Sequence, residues 1–545
     1  MQYVKLELTG RYREIGSQIM SLGRAKEKEF RLDLFYLQIE RILERPSISH
    51  VLVERHKDFS VPAFGGLEEI RSALLRLRDA GKDVWYYAPE YNMSDCVLTS
   101  ACSRRILHPL GQVSFAGLAI SSLFFKKLLD EHEIDVTVIR RDRYKSAADN
   151  LRTDRYDKYA REQYHGLLDG AVAAMRESVL DSSRDRNGFT EKVLDEMIEG
   201  RIYTAREAVE ARIVDELKTA NDIVNEWATK KAGRKQLKRR WFRFSYAPRV
   251  AVLVFEGMII DGGNRRHPLF GQATGDRPVI RYIRALKKNP RVKGVIFRIN
   301  SGGGSATASE NILRELESLH KKKPLVISMG PVAGSGGYWI SQTGRRLFAL
   351  PTTITGSIGV LAVYFNVARL LEKHGINADF VRHGDSADIG SALRPLSEKE
   401  HKMVNHIVEF LYREFTERVA GSRNISSDRV HELGEGRVWL GSEAVGHGLI
   451  DEAGGLHDAV NHIKAILKTK KVKLSFLPRQ PFIMRLLSQR PPDNRSGVFE
   501  ALTALNDGYP EATGFPAPHD LARACLSVHG QPLLMDPFLS EFLPR

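Results

Sequence analysis

Apolar and polar positions along the chain fall into short alternating or continuous runs separated by stretches with helical spacing, and the series occurs twice. Val4–Gly10 and Ala251–Gly257 each read as an opening strand that ends in Gly. Val51–Glu54 and Gly294–Phe297 follow as second strands. Gly66–Leu77 and Ala308–Leu319 carry apolar residues at i, i+3 and i+4 and predict a helix in each half. Asp83–Ala88 and Leu325–Gly330 predict third strands, and Gly200–Asp215 answers Gly436–Asp451 near the end of each series. Strands alternating with helices imply βαβ crossovers, hence an α/β fold with mainly parallel sheets and covering helices. The chain therefore divides into an N-terminal repeat over 1–228, a linker over 229–243, a C-terminal repeat over 244–471 and a tail over 472–545. The tail holds ten of the 22 prolines and few periodic segments, which predicts an extended or loosely packed arm. Asp261–Asp276, with four glycines, predicts a mobile loop.

Composition adds limits. A chain of 545 residues exceeds a single core. Three cysteines (Cys96, Cys102, Cys525) argue against a disulfide framework, and their spacing suggests no metal site. The longest apolar stretches, Val113–Phe125 and Val250–Ile260, are shorter than the ~20 residues a bilayer requires. Met1–Gly10 alternates like a strand, without the apolar core of a signal peptide. The sequence assigns no compartment. The net charge is +15, and Lys230–Arg243 holds eight basic residues and no acid. A solvated basic linker accounts for that run. With Trp241 and Phe242 beside it, attraction to an anionic membrane surface is the functional alternative. No basic fold motif surrounds it, so nucleic acid is not an expected partner.

The two halves differ where chemistry would sit. Pro331–Ser341, P-V-A-G-S-G-G-Y-W-I-S, places Ser335 on a Gly-rich strand-to-helix turn. Such a turn exposes a hydroxyl beside backbone N–H groups, the setting of a nucleophile, although a capping Ser on a tight bend reads the same way. An offset of 242 residues puts Met93 at this position in the first half, and Asp58–Pro62 opposite the glycines of Asn300–Gly304. Conversely, Lys145 of R-Y-K-S-A falls on Ala387. One half has the Ser on a Gly turn and the other has the Lys, which suggests one composite site. A Ser hydroxyl needs a base in reach. A Lys serves as one only when burial lowers its pKa from ~10.4, and a domain interface offers that burial. The glycines at Gly302–Gly304 and Gly336–Gly337 could turn N–H donors toward an oxyanion. There is no H-E-x-x-H, no Cys/His ligand set and no G-K-[ST] after the Gly turn. His383 and His401 read as surface residues.

Four segments together resemble the signal peptide peptidase A family in its long, tandem-domain form. They are R-I-N-S-G-G-G-S-A-T-A-S-E at Arg298–Glu310, A-G-S-G-G-Y-W-I-S at Ala333–Ser341, T-G-S-I-G-V at Thr355–Val360 and R-Y-K-S-A at Arg143–Ala147. The resemblance covers about residues 1–470, with Gly302 where the family usually has Pro. It implies two tandem Clp/crotonase-like domains and a serine endopeptidase acting through an acyl-enzyme. It further implies Ser335 as nucleophile, Lys145 as general base, Ser357 as the hydroxyl that holds the Lys, and Gly304 with Gly336 as oxyanion hole. Substrates would be signal peptides or other short hydrophobic peptides, the assembly a homo-tetramer, often membrane-associated, and no metal or organic cofactor is implied. Two alternatives share the fold: a crotonase-like acyl-CoA hydrolase or isomerase, which gives Lys145 no role, and a non-catalytic membrane-associated scaffold.

Overall fold

A computed structural model describes residues 2–16, 28–115, 117–183, 189–229, 233–234, 247–267, 271–344, 346–479 and 532–535. Each repeat is built on a parallel sheet. In the first, the strands run in the order Glu216–Leu217, Arg104–Leu107, Asp83–Ala88, Ile48–Arg55, Gln2–Leu8, Gly233–Arg234. In the second, Glu452–Ala453, Leu347–Ala349, Leu325–Gly334, Val292–Ser301, Arg249–Glu256 and Lys473–Leu477 follow the same order, and two further strands, Ile354–Gly356 and Val438–Leu440, extend it beside Leu325–Gly334. The repeat seen in the sequence is therefore a repeat of topology.

Burial explains the strand pattern. Val250–Phe255 is buried on both faces, as a continuous apolar run in a parallel sheet requires. The helix Ala306–His320 starts where the Ser305 hydroxyl accepts the Ala308 N–H at 3.2 Å, and it buries Ile312, Leu313, Leu316 and Leu319. Its counterpart Phe64–Asp79 buries Leu67, Ile70, Leu74 and Leu77 in the same rhythm. Each such side chain contributes about 1.5–3 kcal/mol of apolar transfer.

The sheets run past the expected domain boundaries. Gly233–Arg234 lies within the presumed linker and Lys473–Leu477 within the presumed tail, yet each forms the edge strand beside its repeat's opening strand. Proline density downstream masked the alternation of Lys473–Leu477, which is half-buried. The rest of the basic run and residues 480–531 and 536–545 of the tail lie outside the described residues. The expected loop over 261–276 instead contains a hairpin, with Arg265–His267 antiparallel to Gly271–Gly275. Its glycines had suggested a loop; pairing along Met258–Ile260 supplies the order.

A third, mixed sheet joins the repeats. Its order is Arg265–His267, Gly271–Gly275, Met258–Ile260, Gly303–Ser305, Pro532–Met535, Leu361–Asn366, Asp135–Arg140. Asp135–Arg140 comes from the first repeat and pairs antiparallel with the whole of Leu361–Asn366. Polar contacts reinforce this. Arg298 is fully buried and bonds Glu14 (2.9 Å) and Glu69 (2.8 Å) of the first repeat, as well as Ser328 Oγ and the Met329 carbonyl. Glu256, at the end of its strand, takes the Glu14 N–H at 3.3 Å on one oxygen and has no hydrogen-bond partner on the other among the described residues. Burial pushes its carboxyl up to about 7.

Removing one partner of a buried ion pair strands the other charge. Arg298→Ala, which strands the buried Glu14 and Glu69 together, should therefore cost about 3–5 kcal/mol, read from the denaturant midpoint of unfolding. Glu256 also makes stability depend on pH. Its pKa is higher folded than unfolded, so the folded chain keeps the proton where the unfolded chain has lost it. Stability then declines as pH rises from the ordinary carboxyl value near 4.5 to about 7. Glu256→Gln should flatten this decline and raise the thermal midpoint at pH 8; an unchanged slope would show that Glu256 does not titrate with folding.

Candidate active site

The strand Leu325–Gly334 delivers Ser335 directly into the short helix Gly336–Trp339. Ser335 has φ 53° and ψ −117°, a left-handed conformation unusual for a residue with a Cβ. It is held there from both sides. Its N–H donates to the Gly356 carbonyl at 2.8 Å, and its carbonyl accepts the Trp339 N–H at 2.8 Å. The strand is longer than the Leu325–Gly330 run in the sequence because Val332–Gly334 continues the ladder, onto Ile354–Gly356. Gly337 is obligatory for close packing, since a Cβ there would lie 2.4 Å from the Ser301 carbonyl oxygen.

Lys145 arrives from the first repeat. It follows Asp135–Arg140 by five residues, so the antiparallel pairing with Leu361–Asn366 carries it across. Its Nζ lies 2.8 Å from Ser335 Oγ, 2.9 Å from Ser357 Oγ and 3.1 Å from the Ser357 carbonyl oxygen. All three residues are fully buried. Ser357, like Ser335, has a positive φ, of 52°. Arg140 donates to the Lys145 carbonyl at 3.0 Å and pairs with Asp149 at 2.9 Å, which anchors the loop behind the amine.

The two glycine turns meet beside Ser335. A Cβ on Gly336 would lie 3.2 Å from the Gly304 nitrogen, so the two backbones abut. Gly304 has φ 148°, and a Cβ there would sit 2.0 Å from the Ile259 carbonyl oxygen. Only glycine fits both the angle and the space. The structure thus brings together Ser335, Lys145, Ser357, Gly304 and Gly336. His383 is exposed and His401 lies in the helix Glu398–Arg423, with no hydrogen bond to any of the five. In the first repeat the equivalent turn is occupied differently. Asn92 and Asp95 form a capping box at the start of Met93–Thr99, and Asp95 pairs with Arg55 at 2.8 Å and accepts the Tyr86 hydroxyl at 2.6 Å. Structural polar groups fill the place of a nucleophile.

The sequence reading missed Arg140, Asp149 and the Glu435–Arg437 turn. Arg140 stands five residues before Lys145, which was the available signal. Gly436 was visible only as the start of a repeated segment.

This geometry is that of a serine hydrolase whose site is shared by two repeats. Comparison with known proteins agrees. The family "Peptidase family S49" matches residues 76–234 and 317–471, one stretch in each repeat and together more than half of the chain. "Protease 4" of Salmonella typhi is 29% identical over 87% of this chain and 77% of its own length. "Protease 4" of Haemophilus influenzae is 32% identical over 74% of this chain and 68% of its own. "Serine protease SPPA, chloroplastic" of Arabidopsis thaliana is 29% identical over 81% and 66%. A solved ClpP1 mutant structure from Listeria monocytogenes overlaps 38% of this chain at TM-score 0.26 and 14% identity, too little to argue from. The chain belongs to peptidase family S49. It is a serine endopeptidase, which sets aside the acyl-CoA and scaffold alternatives.

The site makes a prediction of its own. Ser357→Ala removes a hydroxyl within 2.9 Å of the Lys145 amine while leaving Ser335 in place. It should lower kcat about 10–100-fold with little change in KM. An unchanged kcat would remove Ser357 from the site.

Proposed function

We propose that peptide hydrolysis runs through a Ser335/Lys145 dyad formed between the repeats. The carrying observation is the 2.8 Å contact between Lys145 Nζ and Ser335 Oγ, fully buried. Neutral Lys145 takes the proton of Ser335 as Oγ attacks the scissile carbonyl. The N–H groups of Gly304 and Gly336 receive the oxyanion. The protonated amine then gives its proton to the leaving amine, releasing the first product and an acyl-enzyme. Lys145, neutral again, deprotonates water for deacylation. Ser357 holds the amine in line. Ser335→Ala and Lys145→Ala should each reduce turnover of a short apolar peptide amide by about 1000-fold or more in correctly folded protein. Normal turnover by either variant would defeat the assignment.

The substrates we infer are extended apolar peptides, such as signal-peptide remnants. Support comes from Pro532–Met535, which pairs antiparallel with Gly303–Ser305, Leu534 opposite Gly304, and with Leu361–Ala362 on its other edge. The strip beside the glycine turn therefore accommodates an extended strand, and main-chain pairing of that kind is a general mode of peptide capture. A synthetic peptide containing Pro-Leu-Leu-Met should compete with substrate, raising apparent KM without changing kcat, whereas one with Asp at both leucines should not. No effect from either peptide would remove this support.

A homo-tetramer is the assembly we propose. Met403, Ile407 and Phe410 form an exposed apolar stripe on Glu398–Arg423, suited to a subunit contact. A sedimentation mass equal to one chain would count against it. Association with anionic membranes would rest on the basic run over 230–243. No helix among the described residues is long and apolar enough to cross a membrane.

A further inference from the structure

We propose that the turn Glu435–Arg437 of the second repeat sets the distance between Lys145 and the two serines, with Gly436 as its positioning residue. This rests on Lys145 being the base. Three consecutive residues of the turn are tied to the immediate chain neighbours of the site. The Glu435 carbonyl accepts the N–H of Tyr144, the residue before Lys145, at 3.0 Å. The Gly436 N–H donates to the carbonyl of Ile358, the residue after Ser357, at 2.9 Å. The Arg437 carbonyl accepts the N–H of Ser357 itself at 2.7 Å. One turn thus grips the base loop of the first repeat and the Ser357 loop of the second together.

The backbone conformation makes this possible. Glu435 and Gly436 both have positive φ, 50° and 80°, which turns successive peptide groups toward different partners. The turn also has no slack. Val438–Leu440 begins directly after it and pairs antiparallel with Ile354–Gly356, the strand that leads into Ser357. On the outside, Glu435 pairs with Arg143 at 3.3 Å, and the Arg437 guanidinium lies over the Tyr144 ring at 5.1 Å.

Steric contact supplies the precision. A Cβ on Gly436 would lie 2.6 Å from Lys145 N and Cβ and 2.7 Å from Lys145 Cα, where ordinary contact begins at 3.4 Å. These are atoms at the root of the side chain, so the Lys145 loop itself must retreat. Gly359 bounds the other side. A Cβ there would lie 3.2 Å from Lys145 Cδ and 2.9 Å from the Gly436 Cα. The lysine stem therefore runs between two glycines, and their lack of side chains brings the amine within reach of Ser335. Relief of the Gly436 clash would displace the root of Lys145 by about 0.8 Å and relief of the Gly359 contact its stem by a few tenths of an ångström, and displacement of about 1 Å can cost about 100-fold in rate.

The experiment compares wild type, Lys145→Ala, Gly436→Ala and Gly359→Ala on an apolar peptide amide. Active-site titration corrects for unfolded protein, and kcat, KM and the pH dependence of kcat/KM are measured for each. We expect Gly436→Ala to lose about 100-fold or more in kcat, with KM within about twofold of wild type and the acidic limb of its pH profile displaced. Gly359→Ala should show the same signature more weakly. It also keeps the test decisive should Gly436→Ala fail to fold, since Gly359 has no positive φ to strain. An inactive Lys145→Ala together with wild-type kcat and an unmoved acidic limb in the foldable glycine variants would overturn the positioning role while leaving the dyad intact. A loss of active titre alone, with normal kcat per active site, would overturn it equally, because that is all a purely structural role would produce. Normal turnover by Lys145→Ala would instead remove the dyad reading on which the proposal stands.

Discussion

The buried Arg298 guanidinium governs how the two repeats can sit. A fully desolvated charge is tolerable only when it is paired and its donors are satisfied. Both carboxylates that pair with it, Glu14 and Glu69, come from the other repeat. The docked arrangement is thus the one in which this charge is neutralised. Arg298 also lies on the strand that continues to Ser301 and then into the glycine turn. The element that fixes the interface therefore leads directly to the proposed oxyanion donors. Glu69 extends the same network to the Leu456 N–H, at the start of the helix Leu456–Ile466.

Docking then does chemical work. The repeats share one sheet order, yet their equivalent turns have diverged. The first fills its turn with the Arg55–Asp95 pair and a tyrosine, a satisfied arrangement with nothing to donate to a substrate. The second keeps glycines and a strained Ser335. In exchange, the first repeat extends Asp135–Arg140 into the mixed sheet and delivers Lys145 from its end. Lys145 is thereby fully enclosed between the repeats, beside Ser335 and Ser357. Folding of one repeat alone could not supply that enclosure. The positive φ of both Ser335 and Ser357 fits the same picture, since such backbone persists only where surrounding hydrogen bonds over-determine it.

Much of this was legible in the residues. Periodicity revealed the repeat and the parallel α/β class, because buried strands and amphipathic helices leave a local record in residue order. Comparing the halves singled out Ser335 and Lys145, since each is present in one repeat and missing from the other. Local signals also misled. Glycines at 262–275 read as a loop although Arg265–His267 and Gly271–Gly275 pair, and the prolines after Leu477 hid an edge strand. In both cases a partner strand distant in sequence supplied the order.

Residue order alone thus determined most of the element types, the duplication and the residues that could carry chemistry. Only the tertiary structure decided that Lys145 reaches Ser335 of the same chain, 190 positions away, at hydrogen-bonding distance. It alone revealed Gly436, whose importance lies in the volume it leaves empty beside Lys145. The physical reason is that propensity and periodicity act over a few residues. The distance between two loops from different repeats depends instead on strand pairing, on a buried charge that must find its partners, and on side chains that are not there.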